Sequence, residues 1–157
     1  MPLRLWLCVV PCRSTAVSRA RGRRRGTGWH GEGFFGRRVR RLGRVVPAWQ
    51  PFRNGGTDPT GFDCSGLVQF VFGQSGLALP RSVREQMRLG IPVPAGEVEP
   101  GDLLFFAIDG RTVSHVAIAV GLDRFVHAPS TRGVVREERL SADYWSRRFS
   151  GARRIEN

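Results

Sequence analysis

The sequence of 157 residues has no lysine, one tyrosine and three cysteines, and none of its apolar runs is long. The longest uncharged apolar stretches, residues 103–108 and 116–122, are strand-length, whereas a membrane-spanning helix needs about 20 apolar residues. We therefore expect no transmembrane helix in the body of the chain. The cysteine count is odd, and Cys8 and Cys12 lie near the start, so a disulfide framework is not expected.

Histidine is equally sparse, and its spacing excludes a zinc finger. His30, His115 and His127 lie far apart, and Cys8 and Cys12 have no second cysteine or histidine pair at finger-like spacing. We assign no role to His30. The remainder of the chain has a lone cysteine, Cys64, followed by two histidines, a combination typical of a nucleophile and its base.

The positive charge is concentrated in the first third of the chain. Residues 1–50 carry 12 arginines and one acidic residue, whereas residues 51–157 carry 13 arginines and 12 acidic residues. The net charges of these two parts are therefore +11 and +1, and their total is the +12 of the whole chain. All basic residues are arginine, even in the near-neutral part, which indicates a compositional bias toward arginine across the whole chain. The abundance of arginine is therefore not evidence for phosphate binding, and no specific nucleic-acid partner is predicted.

Residues 1–50 are predicted to be a disordered tail rich in arginine and glycine. Segments 19–25 and 34–44 have no helical or strand periodicity, and they bury too little apolar surface to offset the entropy of ordering. Three interpretations stay open: a basic arm that contacts polyanions nonspecifically, a degenerate export signal, or sequence upstream of the true start. The apolar run within residues 1–10 is shorter than a usual signal core, and no clean cleavage site follows it.

From residue 51 onward the sequence has the pattern of one folded domain. Turn-forming residues fill positions 54–61, and apolar residues then recur every three or four positions from Cys64 to Val71. This spacing predicts an amphipathic helix that begins at Cys64 and ends near Gly73. A thiol in the first turn of a helix faces unpaired N–H groups, so we expect the pKa of Cys64 to be lowered.

Short strands are predicted to follow the helix. Alternating and apolar runs indicate strands over residues 103–107, 113–120 and 124–128, with tight turns between them. Such connections favour an antiparallel meander, which would place His115 and His127 on neighbouring strands.

Further local signals complete the predicted domain. Ser82 and Glu85 have the spacing of a capping box, which predicts a short helix over residues 82–89. Residues 134–135 and 152–155 are additional candidate strands. Together, the predicted helices and strands indicate an α+β fold, in which the helix that begins with Cys64 packs on an antiparallel β-sheet.

Five blocks of this sequence resemble, in order and spacing, the NlpC-type, papain-like cysteine peptidases of bacterial cell walls. The blocks are residues 61–68 (GFDCSGLV), 79–82 (LPRS) with Gln86, 100–103 (PGDL) with Phe105 and Phe106, 114–118 (SHVAI), and 125–128 (FVHA). The resemblance extends from about residue 51 to residue 155. It implies a papain-like cysteine peptidase domain over residues 51–157.

The resemblance implies a catalytic triad of Cys64, His115 and His127. A thiol with an ordinary pKa is only a few per cent ionised at neutral pH, so it needs a base such as His115. His127 would hydrogen-bond to the far nitrogen of that ring and orient it, and the backbone N–H of Cys64 would contribute to an oxyanion hole. Neither a metal nor an organic cofactor is implied.

The resemblance also implies substrate contacts at Phe52, Asp63, Ser65 and Arg81. For three of these residues a structural interpretation stays open: Asp63 as a helix cap, Ser65 as a first-turn hydroxyl, and Arg81 as the partner of a neighbouring acid. Phe52 departs from the family, which has tyrosine at this position. The missing phenol near the thiol predicts activity that is slow rather than absent.

The reaction implied by the resemblance is hydrolysis of peptidoglycan stem peptides between D-γ-glutamyl and a diamino acid, through a thioester on Cys64. The substrate would place the protein in the cell envelope, periplasmic or secreted. Three alternatives remain: an amidase or acyltransferase on the same scaffold, a cell-wall binding module with little or no activity, and a basic nucleic-acid-binding protein. The near-neutral charge of residues 51–157 argues against the last of these.

Overall fold

The computed structural model describes residues 49–130 and 133–156, so almost all of the predicted tail lies outside the described residues. Helix α1 begins at Cys64 and ends at Gly73, as the apolar spacing predicted. The capping box is confirmed, because the Ser82 side chain accepts the Glu85 N–H while the Glu85 side chain accepts the Ser82 N–H. The helices are α1 Cys64–Gly73, α2 Val83–Gln86 and α3 Asp143–Ser146, with a 3-10 turn at Ala95–Glu97.

Strands form a two-stranded pair before α1 and a six-stranded sheet after it. They are β1 Thr57–Asp58, β2 Gly61–Phe62, β3 Ile91–Val93, β4 Leu103–Phe106, β5 His115–Ala119, β6 Arg124–His127, β7 Arg136–Arg139 and β8 Phe149–Arg154. The order in the larger sheet is β3-β8-β4-β5-β6-β7, and all of its neighbours are antiparallel. The predicted meander of β4, β5 and β6 is confirmed, with strands one to three residues shorter than expected.

Alternate side chains of the central strands point to opposite faces of the sheet and form two apolar clusters. On one face, Phe105 and Ile118 belong to the cluster that covers the buried side of α1. On the other face, Phe106 and Ala117 pack in a cluster that contains Trp145 of α3. The chain therefore has the predicted α+β architecture, with α1 packed on an antiparallel sheet.

One strand prediction was wrong. Val134 makes only an isolated bridge with Pro51, and the strand that follows is Arg136–Arg139, with the sequence REER. This strand lies at the edge of the sheet and is mostly exposed, so it lacks the apolar alternation by which strands are recognised. Within residues 49–130 and 133–156, no helix has the length and apolar character needed to cross a bilayer.

Candidate active site

Asp63 determines where α1 begins, and with it the position of Cys64. Its backbone is extended, and its Oδ1 atom accepts the Gly66 N–H at 2.8 Å. Its Oδ2 atom accepts the Gly55 N–H at 3.0 Å and a hydrogen bond from Arg81. Burial opposes ionisation of Asp63, but these donors outweigh it and hold the pKa of the carboxyl below its usual value.

Arg81 connects the two residues that flank the cysteine. Its Nη2 atom donates to Asp63, and its Nη1 atom donates to the Ser65 hydroxyl oxygen at 2.6 Å. Ser65 is buried, whereas Arg81 is exposed on its outer side. Asp63 is thus a helix cap, and Arg81 pairs with this neighbouring acid while also bonding to the first-turn hydroxyl of Ser65.

Gln86 also stabilises the first turn of α1. Its amide is fully buried, and Nε2 donates to the carbonyls of Ser65 at 3.1 Å and Pro80 at 2.9 Å. These bonds fasten the first turn of α1 to the segment that carries Arg81. The sequence placed Gln86 in a block of family resemblance but indicated no role for it.

The two histidines form a hydrogen-bonded pair across neighbouring strands. His115 begins β5 and His127 ends β6, and the antiparallel register of these strands brings the rings together. His115 Nε2 lies 2.9 Å from His127 Nδ1, and both residues are buried. Because Nε2 of His115 is occupied by this bond, Nδ1 is the ring nitrogen available to another partner.

Cys64 and His115 line one pocket of about 280 Å³. Three of the residues predicted to contact substrate, Phe52, Asp63 and Ser65, also line it, whereas Arg81 and His127 are not among its lining residues. The remaining lining residues were not predicted from the sequence: Asn54, Ile108, Ser114, Ala128 and Ser130. A pocket of about 420 Å³ on β6 and β7 contains none of the predicted site residues.

Burial favours the neutral forms of the groups in this site. It raises the pKa of the Cys64 thiol, although the backbone N–H groups of Val116 and Ser65 act in the opposite direction. It lowers the pKa of His115 to about 4 and that of His127 to about 3. The predicted lowering of the thiol pKa was therefore wrong, because desolvation exceeds the effect of the helix N-terminus.

Sequence patterns also missed Trp145, whose indole contacts both histidine rings. It lies in a four-residue helix with no periodic signal and reaches the site only through tertiary structure. In the part of the chain that the structure describes, no group of three or more His, Cys, Asp or Glu residues is placed to hold a metal.

Cys64 is partly buried at a helix N-terminus and shares a pocket with a histidine that is hydrogen-bonded to a second histidine, an arrangement compatible with thiol chemistry. Residues 49–154 match the sequence model of the NlpC/P60 family, and the chain belongs to that family. Its relatives therefore bear directly on the interpretation of the site.

Two curated relatives have comparable identity. Gamma-DL-glutamyl hydrolase of Bacillus subtilis (strain 168) is 40% identical over 108 residues, which cover 66% of this chain and 26% of that protein. Murein DD-endopeptidase MepH of Escherichia coli (strain K12) is 40% identical over 111 residues, which cover 68% of this chain and 41% of that protein. The chain thus spans between 26% and 41% of the length of these relatives.

A solved structure shares the fold. A crystal structure of an NlpC/P60 family protein from Bacillus cereus matches with a TM-score of 0.70 and 31% sequence identity. The match covers 76% of this chain and 40% of that one.

Proposed function

We propose that this chain is a cysteine peptidase that hydrolyses stem peptides of peptidoglycan, with Cys64 as nucleophile, His115 as base and His127 as the residue that orients His115. One observation carries the proposal: the imidazole that shares a pocket with Cys64 is held at its far nitrogen by His127, at 2.9 Å. Family membership and the murein-directed relative support the substrate class.

In the proposed acylation step, Nδ1 of His115 accepts the thiol proton as Cys64 Sγ attacks the carbonyl carbon of the scissile amide. The backbone N–H of Cys64, at the start of α1, donates to the oxyanion that forms on the carbonyl oxygen. The His115 imidazolium then gives its proton to the leaving nitrogen, the C–N bond breaks, and a thioester remains on Cys64.

Deacylation reverses these proton transfers. His115 takes a proton from water, and the resulting hydroxide attacks the thioester carbon. The C–S bond breaks, the product leaves as a carboxylic acid, and the proton returns to Sγ of Cys64. His127 keeps the ring of His115 in one orientation through both steps, because their hydrogen bond does not involve the reacting nitrogen.

The bond that we propose is cleaved lies between D-γ-glutamyl and a diamino acid, which agrees with the glutamyl bond in the name of the Bacillus subtilis relative. The name of the Escherichia coli relative favours a second candidate, a murein DD-endopeptidase. An amidase or acyltransferase would use the same thiol chemistry and release different products.

The residues that line the pocket suggest different roles in substrate binding. Phe52 contributes an apolar wall beside the thiol, and Asp63 and Ser65 contribute a polar one. Because Asp63 and Ser65 already bond to Arg81, we infer that they shape the pocket, while the exposed side of Arg81 is available to a substrate carboxylate.

Peptidoglycan lies outside the cytoplasm, so the proposed activity places the protein in the cell envelope. We further propose that residues 51–157 form the peptidase domain and that residues 1–50, with a net charge of +11, make at most nonspecific contacts with polyanions. Salt-dependent binding of any polyanion by the full chain, and none by residues 51–157, is the expected result.

The test is digestion of purified peptidoglycan, and of soluble stem peptides, by the full chain, with products identified by mass. Cys64→Ala should abolish the products, whereas Cys8→Ala and Cys12→Ala should leave them unchanged and serve as matched controls for thiol loss.

Products that end in D-glutamate and depend on Cys64 would support the proposed endopeptidase. Cleavage between two D-amino acids that depends on Cys64 would support the second candidate, the DD-endopeptidase. Product formation by Cys64→Ala would contradict the thioester mechanism, and a folded wild-type chain with no turnover would support the binding module.

A further inference from the structure

Trp145 packs against both rings of the histidine pair. Its indole stacks on His115, with ring centroids 5.8 Å apart and planes 26° apart, and lies nearly perpendicular to His127 at 4.8 Å. Phe106 and Phe125 contact the indole at 5.0 and 5.1 Å, and only 7% of Trp145 is exposed. The indole is therefore held in one place by the core of the sheet.

Within residues 49–130 and 133–156, no hydrogen bond holds the histidine pair at the ring nitrogen of His127 that does not bond to His115. His127 is fully buried, and its Nε2 atom has no hydrogen-bond partner in the described part of the chain. The charged and titratable groups around the pair are Cys64 and Asp63 in the pocket and Arg136 on β7. None of these bonds to Nε2 of His127, so the orientation of the pair depends on aromatic contacts.

Building on the proposed function, we propose that Trp145 is a positioning residue of the active site, which holds the His115–His127 pair and stabilises the His115 imidazolium formed when Cys64 loses its proton. An aromatic face attracts a cation within about 6 Å of its centroid, and more strongly where water is excluded. The stack on His115 has that distance and lies in the core.

The direction of the effect follows from two opposing influences on His115. Burial disfavours the imidazolium, which is why the pKa of His115 falls to about 4. The face of the indole favours the imidazolium and offsets part of that cost. Trp145→Leu keeps the apolar cover but removes the aromatic face, so the thiolate–imidazolium pair should become about 3- to 30-fold rarer. Trp145→Phe should have a smaller effect.

The experiment measures alkylation of Cys64 by iodoacetamide from about pH 5 to pH 10. It uses the full-length chain with Cys8→Ala and Cys12→Ala, so that one thiol reacts. In the proposed mechanism, the thiolate that reacts near pH 7 is paired with the His115 imidazolium, whereas the thiolate that forms near pH 10 has no imidazolium partner. Trp145→Leu should react about 3- to 30-fold more slowly near pH 7 and match the parent chain near pH 10.

The matched control is Trp49→Phe, at a tryptophan that is 78% exposed, and it should react like the parent chain at every pH. An equal loss for Trp145→Leu at all pH values would mean that Trp145 only maintains the shape of the pocket, and it would overturn the inference. No loss at any pH would overturn it as well.

Failure of the proposed function has a different signature. If His115→Ala and the parent chain have the same pH profile, His115 does not act on Cys64, and the proposed mechanism fails. If His115→Ala loses the reactivity near pH 7 while Trp145→Leu retains it, only the role of Trp145 is refuted.

A fluorinated indole covers the case in which Trp145→Leu does not fold. The chain has four tryptophans. The other three are replaced by phenylalanine, so that 5-fluorotryptophan is incorporated only at position 145. Fluorine weakens the negative face of the ring with little change in shape. A slower reaction near pH 7 than in the unfluorinated chain, with equal rates near pH 10, supports the inference; equal rates at both pH values overturn it.

Discussion

A methyl group added at Gly66 should force α1 away from the loop that precedes it. The Cβ atom of alanine at this position would lie 2.0 Å from the carbonyl oxygen of Gly56 and 3.0 Å from Asp63 Oδ1. The same carbonyl accepts the Asp63 N–H at 3.1 Å, and a Cβ at Gly56 would lie 2.2 Å from the Gly61 oxygen. The loop is therefore closely packed against backbone atoms and has little room to move aside.

The expected cost of Gly66→Ala follows from these distances. Cβ atoms stay at least 3.0 Å from their neighbours, so a contact of 2.0 Å requires the helix and the loop to separate by about 1 Å. Overpacking of this kind costs about 1–3 kcal/mol, and alanine in a helix returns up to about 1 kcal/mol. We expect a net loss of about 1–2 kcal/mol in the free energy of unfolding. Because α1 begins with Cys64, kcat/KM should fall on the order of 100-fold.

Gly73→Ala is the matched control for this substitution. It lies in the same helix, its added Cβ would have no neighbour within 4 Å, and its φ is not left-handed. It should raise the free energy of unfolding by up to about 1 kcal/mol and leave hydrolysis unchanged. Urea unfolding measures the first quantity, and initial rates on a stem peptide measure the second.

Gly66→Ala should lower the free energy of unfolding and Gly73→Ala should raise it, so the comparison of the two variants is decisive. If Gly66→Ala is as stable as the wild-type protein and hydrolyses the stem peptide at the same rate, the close approach of α1 to Gly56 does not constrain the position of Cys64. Equal destabilisation by both alanines would attribute the effect to glycine replacement in general.

Three further predictions address other parts of the site. Phe52→Tyr adds a hydroxyl to the pocket wall beside Cys64 and should raise kcat/KM several-fold; an unchanged or lower value would show that the phenol is not needed here. The pKa of His115 is about 4 in the folded protein and 6.5 ordinarily, so between these values the unfolded chain binds more protons at this residue, which alone should lower the free energy of unfolding by roughly 3 kcal/mol as pH falls through this range; His127, with a pKa of about 3, adds to the fall. Urea unfolding at several pH values measures this slope, which should become shallower when His115→Leu and His127→Leu are combined. Gln86→Glu removes the donor to the carbonyls of Ser65 and Pro80 and should cost about 2–4 kcal/mol by urea unfolding, whereas Gln69→Glu, which loses one bond to the Leu79 carbonyl, should cost about 1 kcal/mol; equal costs would contradict the supporting role of Gln86.

The sequence by itself determined the elements whose causes lie within a few residues. Asp63 and the apolar spacing after Cys64 predicted the limits of α1, because a cap and a buried stripe are local properties. Tight turns predicted the β4–β6 meander, which in turn placed His115 and His127 on adjacent strands. The family resemblance added the residue types of the site, and residues 49–154 match the family model.

Tertiary structure decided what depends on groups distant in sequence. The direction of the Cys64 pKa was wrong in the sequence-based prediction, because desolvation is the sum of contacts from several segments and exceeds the local effect of the helix N-terminus. The bonds of Gln86 to Ser65 and the stack of Trp145 on His115 join residues that are 21 and 30 positions apart. The edge strand Arg136–Arg139 forms by pairing with β6 and not from its own composition. Long-range burial and register, which no local pattern encodes, therefore decided the electrostatics and the support of this site.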